Sequence, residues 1–328
     1  MLFLGTAGSL PSARRGLPAT LIRRGGDGLL FDCGEGTQRQ LLRSSGLVDL
    51  EHIFLTHMHA DHVLGLPGMV KTFALRGRDA PLTVYGPPGL RALFTVLRSV
   101  IGRPPYELRL VELEPNEPVA FDGYLVAPFA VEHRVPAYGY ALIEEDRPGR
   151  FDDARARELG IAPGPDFGRL QRGESVMGRL GEVRPEQVLG AARRGRKVVL
   201  TGDTRPAEVT RAVAHEADLL VHESTFGEQD GDRARETGHS TARGAGELAA
   251  AAGVALLALT HVSPRYAGAE LRDEARAVFE RTIVPRDFDR VELPFPERGA
   301  PVHRRANEPD SAQPTPAGPG GGSGLSPC

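Results

Sequence analysis

The chain has 328 residues, of which 40% are hydrophobic and 25% are charged, and its formal net charge is −3. These values are ordinary for a globular protein, and the lack of any run of about 18 apolar residues excludes a membrane-spanning helix. The start of the chain has neither the basic region nor the apolar stretch of a secretory signal. The only cysteines are Cys33 and Cys328, and the second lies in a segment rich in Pro, Gly and Ser. We therefore expect no structural disulfide, which fits a reducing cytoplasm.

Strands dominate the first half of the predicted secondary structure, and strands alternate with helices in the second half. Short apolar runs predict strands at residues 2–4, 19–22, 29–32, 52–56, 82–85, 107–113, 124–131 and 138–143, and again at 197–201, 218–222 and 254–260. Helices are predicted near residues 35–46, 66–75, 89–100, 206–214, 241–252 and 269–281. This order predicts an α/β fold in which two sheets lie between layers of helices.

Two segments stand apart from this pattern. Residues 147–187 are rich in Gly, Pro and Arg, and Pro163-Gly164-Pro165 cannot lie inside a helix. From Arg147 to Lys197 there are 12 Lys/Arg and 7 Asp/Glu, an excess of five positive charges. We interpret residues 147–187 as an inserted arm, which either follows phosphates or is a solvated Arg-rich surface loop. Residues 298–328 are crowded with Pro, Gly and Ser and are predicted to be a disordered tail after a domain at 1–297.

A cluster of polar residues follows the strand predicted at 52–56, and it reads His57-Met58-His59-Ala60-Asp61-His62. Side chains two residues apart in an extended chain point the same way, so His57 and His59 can bind one ion. Asp61 and His62 can then turn towards a second ion. Imidazole and carboxylate together suit zinc or manganese, and two ions about 3.5–4 Å apart are a common device for splitting phosphodiesters. The pattern predicts a metal site, with a polar turn as the alternative.

Two ions need further ligands, and three more residues lie at or just beyond the ends of predicted strands, namely His133, Asp203 and His261. Each alone would be interpreted as a cap or a surface residue, but their shared position indicates one site. The assignment is that His57, His59 and His133 hold the first ion, that Asp61, His62 and His261 hold the second, and that Asp203 bridges both. Asp61 would also orient the attacking water and take up its proton. Asp32 and Glu35 are candidate partners of the imidazoles, although Asp32 could instead cap the next helix.

This ligand set resembles that of the metallo-β-lactamase superfamily, and within it the chain resembles the tRNase Z family. The narrower resemblance rests on short motifs spread over nearly all of residues 1–295. They are Gly5-Thr6-Ala7-Gly8-Ser9 with Pro11 and Arg15, Asp32-Cys33-Gly34-Glu35-Gly36-Thr37-Gln38, Gly202-Asp203-Thr204-Arg205, His222-Glu223-Ser224-Thr225, Gly238-His239-Ser240-Thr241 and His261-Val262-Ser263-Pro264-Arg265-Tyr266. The resemblance implies the αββα sandwich of the superfamily, a pair of divalent ions (Zn²⁺, with Mn²⁺ as the alternative) and a homodimer.

The resemblance also implies an activity and two further catalytic residues. The activity is that of an endoribonuclease that removes the 3′ trailer of precursor tRNA after the discriminator nucleotide and leaves a 3′-hydroxyl. His239 would be the general acid that protonates the leaving 3′-oxygen, and Glu223 would orient it. Without such a role, His239 would simply precede a helix capped by Ser240 or Thr241.

In the same way, the resemblance implies that residues 147–187 form a flexible arm that binds the elbow of tRNA. The residues expected to contact the substrate are Arg150, Gly164, Pro165, Arg169, Arg172 and Arg265. Two other hypotheses remain open. A hydrolase of the same superfamily that acts on a small phosphodiester, sulfate ester or thioester would have no use for the arm. A non-catalytic RNA-binding relative would be purified without metal.

Overall fold

Two β-sheets packed face to face form the centre of the molecule in a computed structural model that describes residues 1–47 and 50–306. The strands of the first sheet are β1 (Leu2–Gly5), β2 (Ala19–Arg24), β3 (Asp27–Phe31), β4 (His52–Phe54), β5 (Leu82–Gly86), β6 (Leu108–Glu112), β16 (Arg290–Glu292) and β17 (Val302–Arg304). Their order across the sheet is β17-β16-β1-β2-β3-β4-β5-β6. The run from β3 to β6 is parallel and the remaining pairs are antiparallel.

The second sheet carries most of the chemically interesting strand ends. Its strands are β7 (Val119–Phe121), β8 (Tyr124–Ala130), β9 (Tyr138–Glu144), β12 (Lys197–Leu200), β13 (Leu219–Glu223), β14 (Leu257–Thr260) and β15 (Thr282–Ile283). Their order is β15-β14-β13-β12-β9-β8-β7. Strands β12, β13 and β14 are parallel, whereas β9 is antiparallel to β12. The carboxyl ends of β12 to β14 and the amino end of β9 therefore lie on the same side of the second sheet, where these strands end.

The central strands are apolar on both faces because each sheet has a second layer on either side. In β1, Leu2 and Leu4 belong to the core beneath the helices, while Phe3 belongs to the core between the sheets. Ile53 and Phe54 in β4 divide in the same way, as the alternation of side chains along a strand requires. This is why the sequence shows short continuous apolar runs here instead of an alternation of apolar and polar residues.

An aromatic cluster between the sheets fixes the end of β4, where the polar motif begins. The rings of Phe31 and Phe54 stack with centroids 5.2 Å apart, and Tyr140 of β9 packs against Phe54 at 5.4 Å. Tyr140 is fully buried, and its hydroxyl donates a hydrogen bond of 2.6 Å to the carbonyl oxygen of Leu55. A buried hydroxyl needs such a partner, so this contact ties the two sheets together two residues before His57.

Helices cover the outer faces of both sheets, which gives four layers in the order αββα. The first half of the chain supplies α1 (Thr37–Ser44), α2 (Ala60–Val63), α3 (Leu66–Leu75) and α4 (Leu90–Ile101). Between β9 and β12 lie α5 (Asp153–Glu158) and α6 (Pro165–Gln171), and the rest of the chain supplies α7 (Glu208–Val213), α8 (Gly231–Thr237), α9 (Ala242–Ala252) and α10 (Gly268–Arg276). Short 3-10 turns occur at Pro185–Gln187, Glu228–Asp230 and Pro296–Arg298.

The segment between β9 and β12 contains the predicted arm and has an apolar cluster of its own. Besides α5 and α6 it holds a hairpin of β10 (Val176–Gly178) and β11 (Gly181–Val183). Its buried core consists of Ala156, Ile161, Leu170, Val176, Val183 and Val188. Isolated bridges pair Arg147 with Arg193 and Phe151 with Leu189, where the chain leaves the sheet and returns. We call residues 147–151 and 189–193 the stem of the arm.

Most predicted elements are present, with differences at their ends. The helix predicted at 269–281 ends at Arg276, and the strand predicted at 254–260 begins only at Leu257. The helices and hairpin of the arm were not predicted, because each is too short to show a clear period. The same holds for the short strands β7, β15, β16 and β17.

The predicted boundary of the disordered tail is wrong. The tail was expected to begin at residue 298, but Val302–Arg304 forms β17 and pairs with β16, so order continues through Ala306. His303 of this strand also contacts Asp289 at 2.9 Å. The rest of the predicted tail, 307–328, lies outside the described residues. No helix within 1–47 and 50–306 is both long enough and apolar enough to cross a membrane.

Candidate metal centre

Four strand ends bring the predicted ligands together, one from the first sheet and three from the second. His57 follows β4, Asp203 follows β12 and His261 follows β14, while His133 lies between β8 and β9. The remaining ligands come from the first turn after β4, where α2 begins at Ala60 and contains Asp61 and His62. The structure thus brings together seven side chains that span residues 57 to 261 of the chain.

The first group of possible ligand atoms comes from His57, His59, His133 and Asp203, all within 4.8 Å of one another. Nε2 of His57 lies 2.9 Å from Nδ1 of His59, and Nε2 of His133 lies 3.3 Å from the same atom. Nδ1 of His133 lies 2.8 Å from the carbonyl oxygen of Gly238, so its proton belongs there and Nε2 is left with a lone pair. Three imidazole nitrogens that converge in this way suit a cation.

The second group consists of Asp61, His62 and His261. Nε2 of His261 lies 3.3 Å and Nε2 of His62 lies 3.6 Å from Oδ2 of Asp61. Asp203 stands between the groups: its Oδ2 is 3.7 Å from His57, and its Oδ1 is 3.4 Å from His62 and 3.3 Å from His261. A carboxylate with one oxygen towards each group is placed as a bridge.

Two buried atoms at this place have no hydrogen-bond partner within the described residues, namely Nε2 of His62 and Oδ1 of Asp203. An unpaired buried polar atom is costly in a native protein and calls for an explanation. A bound cation would satisfy both atoms at once. The residues present therefore fit metal ions, and the side chains are positioned to bind them.

The carboxylate of Asp32 and the hydroxyl group of Thr56 orient two of the imidazoles. Asp32 accepts from His62 Nδ1 at 2.8 Å, and Thr56 Oγ1 donates to Asp32 at 3.0 Å while lying 3.0 Å from His57 Nδ1. Asp32 therefore holds one imidazole directly and a second one through Thr56, and it does not cap the next helix, whose preceding residue is Gly36. Partners of this kind fix the tautomer of a ligating histidine.

The arrangement is repeated around Glu223. This carboxylate accepts from His239 Nδ1 at 2.8 Å, and Thr225 Oγ1 donates to it at 2.6 Å while lying 2.8 Å from His261 Nδ1. Glu223 is buried, which alone would raise its pKa, but the positive charge of His239 lowers the pKa below the ordinary value. Burial likewise opposes the charge of His239, yet Glu223 raises the pKa of that imidazole above 6.5. Both shifts favour an imidazolium paired with a carboxylate.

Comparisons with known proteins agree with this geometry. The family model described as metallo-beta-lactamase superfamily matches residues 15–146. The ribonuclease Z of Halorubrum lacusprofundi is 48% identical over 302 residues, which covers 90% of this chain and 97% of that protein. The ribonuclease Z of Archaeoglobus fulgidus is 46% identical over 301 residues, which covers 90% and 98%.

The chain belongs to the ribonuclease Z family. The crystal structure of human tRNase Z, short form, is similar with a TM-score of 0.64 at 26% identity, covering 89% of this chain and 98% of the human one. The predicted α/β fold, the αββα sandwich and the predicted family are confirmed. A member of the ribonuclease Z family with this fold is a metal-dependent hydrolytic endoribonuclease.

One residue predicted to support the ligands of this ribonuclease Z family member does not do so. Glu35 is exposed, and no hydrogen bond from it to a histidine occurs among the described residues. The carboxylate needed at this place is supplied by Asp32 alone. The helix that follows His239 is capped by Thr241 and not by Ser240. Thr241 is the N-cap of α9 and accepts from the backbone N–H of Gly244 at 3.0 Å. His239 is therefore a neighbour of a capped helix and a partner of Glu223 at the same time.

Residues of the opening motif reach the site, although no role was predicted for them. The backbone N–H of Ser9 donates to Oδ2 of Asp61 at 3.0 Å. A Cβ atom at Gly8 would lie only 2.5 Å from Nδ1 of His261, so only glycine fits there. A glycine in a strand-to-loop motif is a signal for such a close approach, but the sequence does not say which side chain approaches.

The predicted substrate-contacting residues of the arm are far from these ligands in the chain and differ among themselves. Gly164 and Pro165 form the start of α6, and Arg150 lies exposed in the stem. Arg169 and Arg172 both form exposed ion pairs with Glu174, at 3.1 and 3.3 Å. Arg265, which is not part of the arm, is exposed and lies four residues after His261 in the chain.

The excess of basic residues does not lie on the arm. Residues 147–187 contain eight Lys/Arg and seven Asp/Glu, so the arm is nearly balanced. The excess comes from residues 193–197, where the chain returns from the arm to β12. There Arg194 pairs with Asp218 at 2.6 Å and Arg196 pairs with Glu144 at 2.6 Å, both carboxylates of the second sheet region. The excess of five positive charges counted over 147–197 therefore lies mostly outside the arm, where Arg194 and Arg196 are paired with carboxylates of the catalytic body.

Proposed function

We propose that this ribonuclease Z family member removes the 3′ trailer of precursor tRNA by hydrolysis just after the discriminator nucleotide, leaving a 3′-hydroxyl. The observation that carries the proposal is the position of Asp203. One of its oxygens faces His57 and the other faces His62 and His261, and Nδ1 of His239 lies 3.8 Å from the first. Ligands for cations and a proton donor are thus gathered around one carboxylate.

The metal ligands proposed for this site are the seven residues that the structure gathers. His57, His59 and His133 would hold a first divalent ion, Asp61, His62 and His261 a second, and Asp203 both. Five imidazoles and two carboxylates favour Zn²⁺, and Mn²⁺ accepts the same donors. When bound, such ions activate water as a nucleophile and stabilise charge on the phosphoryl oxygens.

The protein side chains would carry out the remaining steps. Asp61 would orient the attacking water and accept its proton, with Ser9 N–H donating to Oδ2, the oxygen that faces His261 and His62. His239, kept protonated by Glu223, would give its proton to the leaving 3′-oxygen, since an alkoxide is a poor leaving group. The products would be a tRNA with a 3′-hydroxyl and a trailer with a 5′-phosphate.

The arm would bind the elbow of the tRNA through Arg150, Arg169, Arg172 and the turn at Gly164-Pro165, and Arg265 would contact the substrate beside the metal centre. Such binding would recognise shape and backbone more than sequence, and it would weaken as salt increases. Because the arm itself is nearly neutral in net charge, we expect contacts by individual arginines and not attraction by a continuous basic field.

The position of the arm supports a homodimer in which one subunit presents tRNA to the other. His133 precedes β9 at the edge that carries the metal centre, whereas the stem follows β9 at the opposite edge. The seven residues of β9 separate the two by about 20 Å at 3.3 Å per residue. The side chains of Leu75, Val96 and Val100 on α3 and α4 are more than 70% exposed and are candidates for the dimer contact. Phe73, also on α3, is 5% exposed and belongs to the core.

Cleavage in the cytoplasm is part of the same proposal. Precursor tRNA is found where tRNA is transcribed and processed, and Cys33 is a buried free thiol, as a reducing compartment allows. The domain organisation proposed is a catalytic body that includes β16 and β17, with the arm inserted between β9 and β12.

The test is cleavage of a precursor tRNA with a short 3′ trailer by wild type, Asp61→Ala and an armless variant. The armless variant joins Asp152 to Val188 by two glycines, since the N–H of Asp152 already bonds the carbonyl of Val188 at 2.8 Å. We expect one cut after the discriminator, lost in Asp61→Ala and strongly weakened without the arm. If the metal-loaded wild type does not cut but still hydrolyses bis(p-nitrophenyl) phosphate, the protein is a small-substrate phosphodiesterase and the proposal is wrong.

A further inference from the structure

The segment that follows β16 packs against the stem of the arm, some 150 residues away in the chain. The ring of Phe295 lies among three guanidinium groups: Cζ of Arg147 is 3.5 Å from the ring centroid, that of Arg196 is 4.5 Å and that of Arg298 is 5.7 Å. A guanidinium held over an aromatic face at such distances is attracted by the negative potential of the ring. The ring therefore contacts both the stem, through Arg147, and the body, through Arg196.

Glu297, two residues further on, joins the two sides of the stem. Its Oε2 accepts from Arg147 at 2.8 Å, and its Oε1 accepts from Arg193 at 3.3 Å. Arg147 and Arg193 are also paired by two backbone hydrogen bonds, each of 2.8 Å. The side chains of Arg147, Arg193 and Glu297 are 21%, 34% and 25% exposed, so these ion pairs lie at the surface and are partly covered. One carboxylate thus lies between two positive charges and reduces their repulsion across the stem.

The stem itself is a close pair of chains joined by backbone hydrogen bonds. A Cβ atom at Gly149 would lie 1.9 Å from the carbonyl oxygen of Gly190, so the two backbones touch at glycine. Nε of Arg193 also donates to the carbonyl of Pro148 at 3.0 Å. The direction of the arm then depends on what holds the stem against the body, and the contacts of Phe295 and Glu297 are made there.

The body side of this contact is firmly anchored. Arg196 donates to both oxygens of Glu144, at 2.7 and 2.6 Å, and to the carbonyl of Leu293 at 2.8 Å. The segment 293–298 is therefore fixed to the start of β12 and the end of β9 before it reaches the stem. The ring of Phe295 and the carboxylate of Glu297 both contact Arg147 of the stem.

We propose that Phe295 and Glu297 are positioning residues for the arm, which hold its stem at one angle to the catalytic body. The proposal rests on the function proposed above, in which the arm binds the substrate. When the arm has a fixed direction, a bound tRNA reaches the metal centre in one position. When the stem is loosened, the bound tRNA would reach the metal centre in many positions. Loss of either residue should therefore weaken productive binding of tRNA and leave the chemistry at the metals intact.

The experiment compares Phe295→Leu, Phe295→Tyr and Glu297→Gln in the full, metal-loaded chain. Leucine keeps apolar volume without a ring, and tyrosine keeps the ring. The control is Glu107→Gln, which breaks an exposed ion pair with Arg109 on the far edge of the first sheet. We expect KM for precursor tRNA to rise about three- to tenfold in Phe295→Leu and Glu297→Gln, while Phe295→Tyr and the control stay near wild type. Hydrolysis of bis(p-nitrophenyl) phosphate should be unchanged in all four.

A second measurement needs no RNA. Hydrogen exchange at the backbone amides of Arg147 and Arg193 reports opening of the stem, and it should become faster in Phe295→Leu and Glu297→Gln. Unchanged exchange and unchanged KM in both variants would overturn the proposal. If wild type fails to cut precursor tRNA at all, the proposed function is lost, but the exchange rates still decide whether these residues hold the stem.

Discussion

Nδ1 of His239 lies 2.8 Å from Oε1 of Glu223, and the other oxygen of the same carboxylate is already occupied by Thr225. The backbone N–H groups of Thr204 and Thr225 also donate to Glu223, each at 3.0 Å. A carboxylate with this many donors stays ionised. The proton of the pair therefore resides on Nδ1 of His239, and its Nε2 carries the proton that can be given away.

Replacement of His239 by alanine should separate substrates by their leaving groups. Cleavage of precursor tRNA needs protonation of an alkoxide and should fall about 10²- to 10⁴-fold. Hydrolysis of bis(p-nitrophenyl) phosphate should change little, since p-nitrophenolate leaves without a proton. Steady-state rates on both substrates check this, and metal content should remain that of wild type. An equal loss on both substrates together with loss of metal would show that His239 is a ligand, as its nearness to Asp203 and His261 allows.

The pH profile should show the same pair. Because Glu223 raises the pKa of His239, the acid form persists to a higher pH than in an ordinary histidine, and the rate on precursor tRNA should decline as pH rises through that raised value. Glu223→Gln removes the charge that raises the pKa, so the alkaline decline should move to lower pH. A decline at the same pH in wild type and Glu223→Gln would exclude His239 as the titrating acid.

Thr225 should matter for the metal as well as for the proton. Its hydroxyl donates to Glu223 and so accepts from Nδ1 of His261, which leaves Nε2 of that imidazole free for an ion. Thr225→Val keeps the shape of the side chain but removes both bonds, and metal affinity should fall about 10- to 100-fold. Thr225→Ser retains the hydroxyl and is the matched control. Titration of the apoprotein with Zn²⁺ measures both, and equal affinities would contradict the role.

Gly8 should be intolerant of any side chain. A methyl group there would collide with the imidazole of His261, whose Nδ1 is 2.5 Å from the position of the added carbon. Gly8→Ala should therefore displace His261 and lower metal content and activity together. Gly26→Ala is the control, because nothing lies within 4 Å of the added carbon. Normal metal content in Gly8→Ala would show that the loop yields instead.

Glu144 should stabilise the fold in a pH-dependent way. Burial disfavours its charge, but hydrogen bonds from Arg196 and Arg24 outweigh this and lower its pKa from 4.5 to about 2. Its contribution is then present above pH 4.5 and is lost as pH falls towards 2. Glu144→Gln should lower the free energy of unfolding at pH 7 by about 2–3 kcal/mol, and the difference from wild type should shrink below pH 4.5. Urea unfolding at several pH values, with Glu107→Gln for comparison, checks this.

The ligands were predictable because their signal is local. His57 to His62 are neighbours in sequence, and His133, Asp203 and His261 each stand at a recognisable strand end. The partners that orient them were not, since the distance from Thr225 to His261 depends on how two strands pair. The same holds for Gly8, whose close contact is visible only in three dimensions.

Residues 193–197, between the arm and β12, also have contacts that the sequence alone did not predict. The composition shows an excess of basic residues near residue 195, but it does not show that Asp218 pairs with Arg194 and Glu144 with Arg196. The composition also did not indicate that residues after 298, which are poor in apolar side chains and rich in Pro and Gly, add a strand to the edge of the first sheet. Edge strands need few apolar residues, since their backbone bonds carry the pairing.

The gathering of seven candidate ligands from distant parts of the chain has a consequence for folding. They come from both sheets and are separated by up to 204 positions, from His57 to His261. Ions that bind only this folded arrangement act as cross-links and stabilise it by mass action. A chelator should then lower the melting temperature as well as abolish cleavage. The supply of metal in the cell would set how much of the protein is folded, not only how much of it is active.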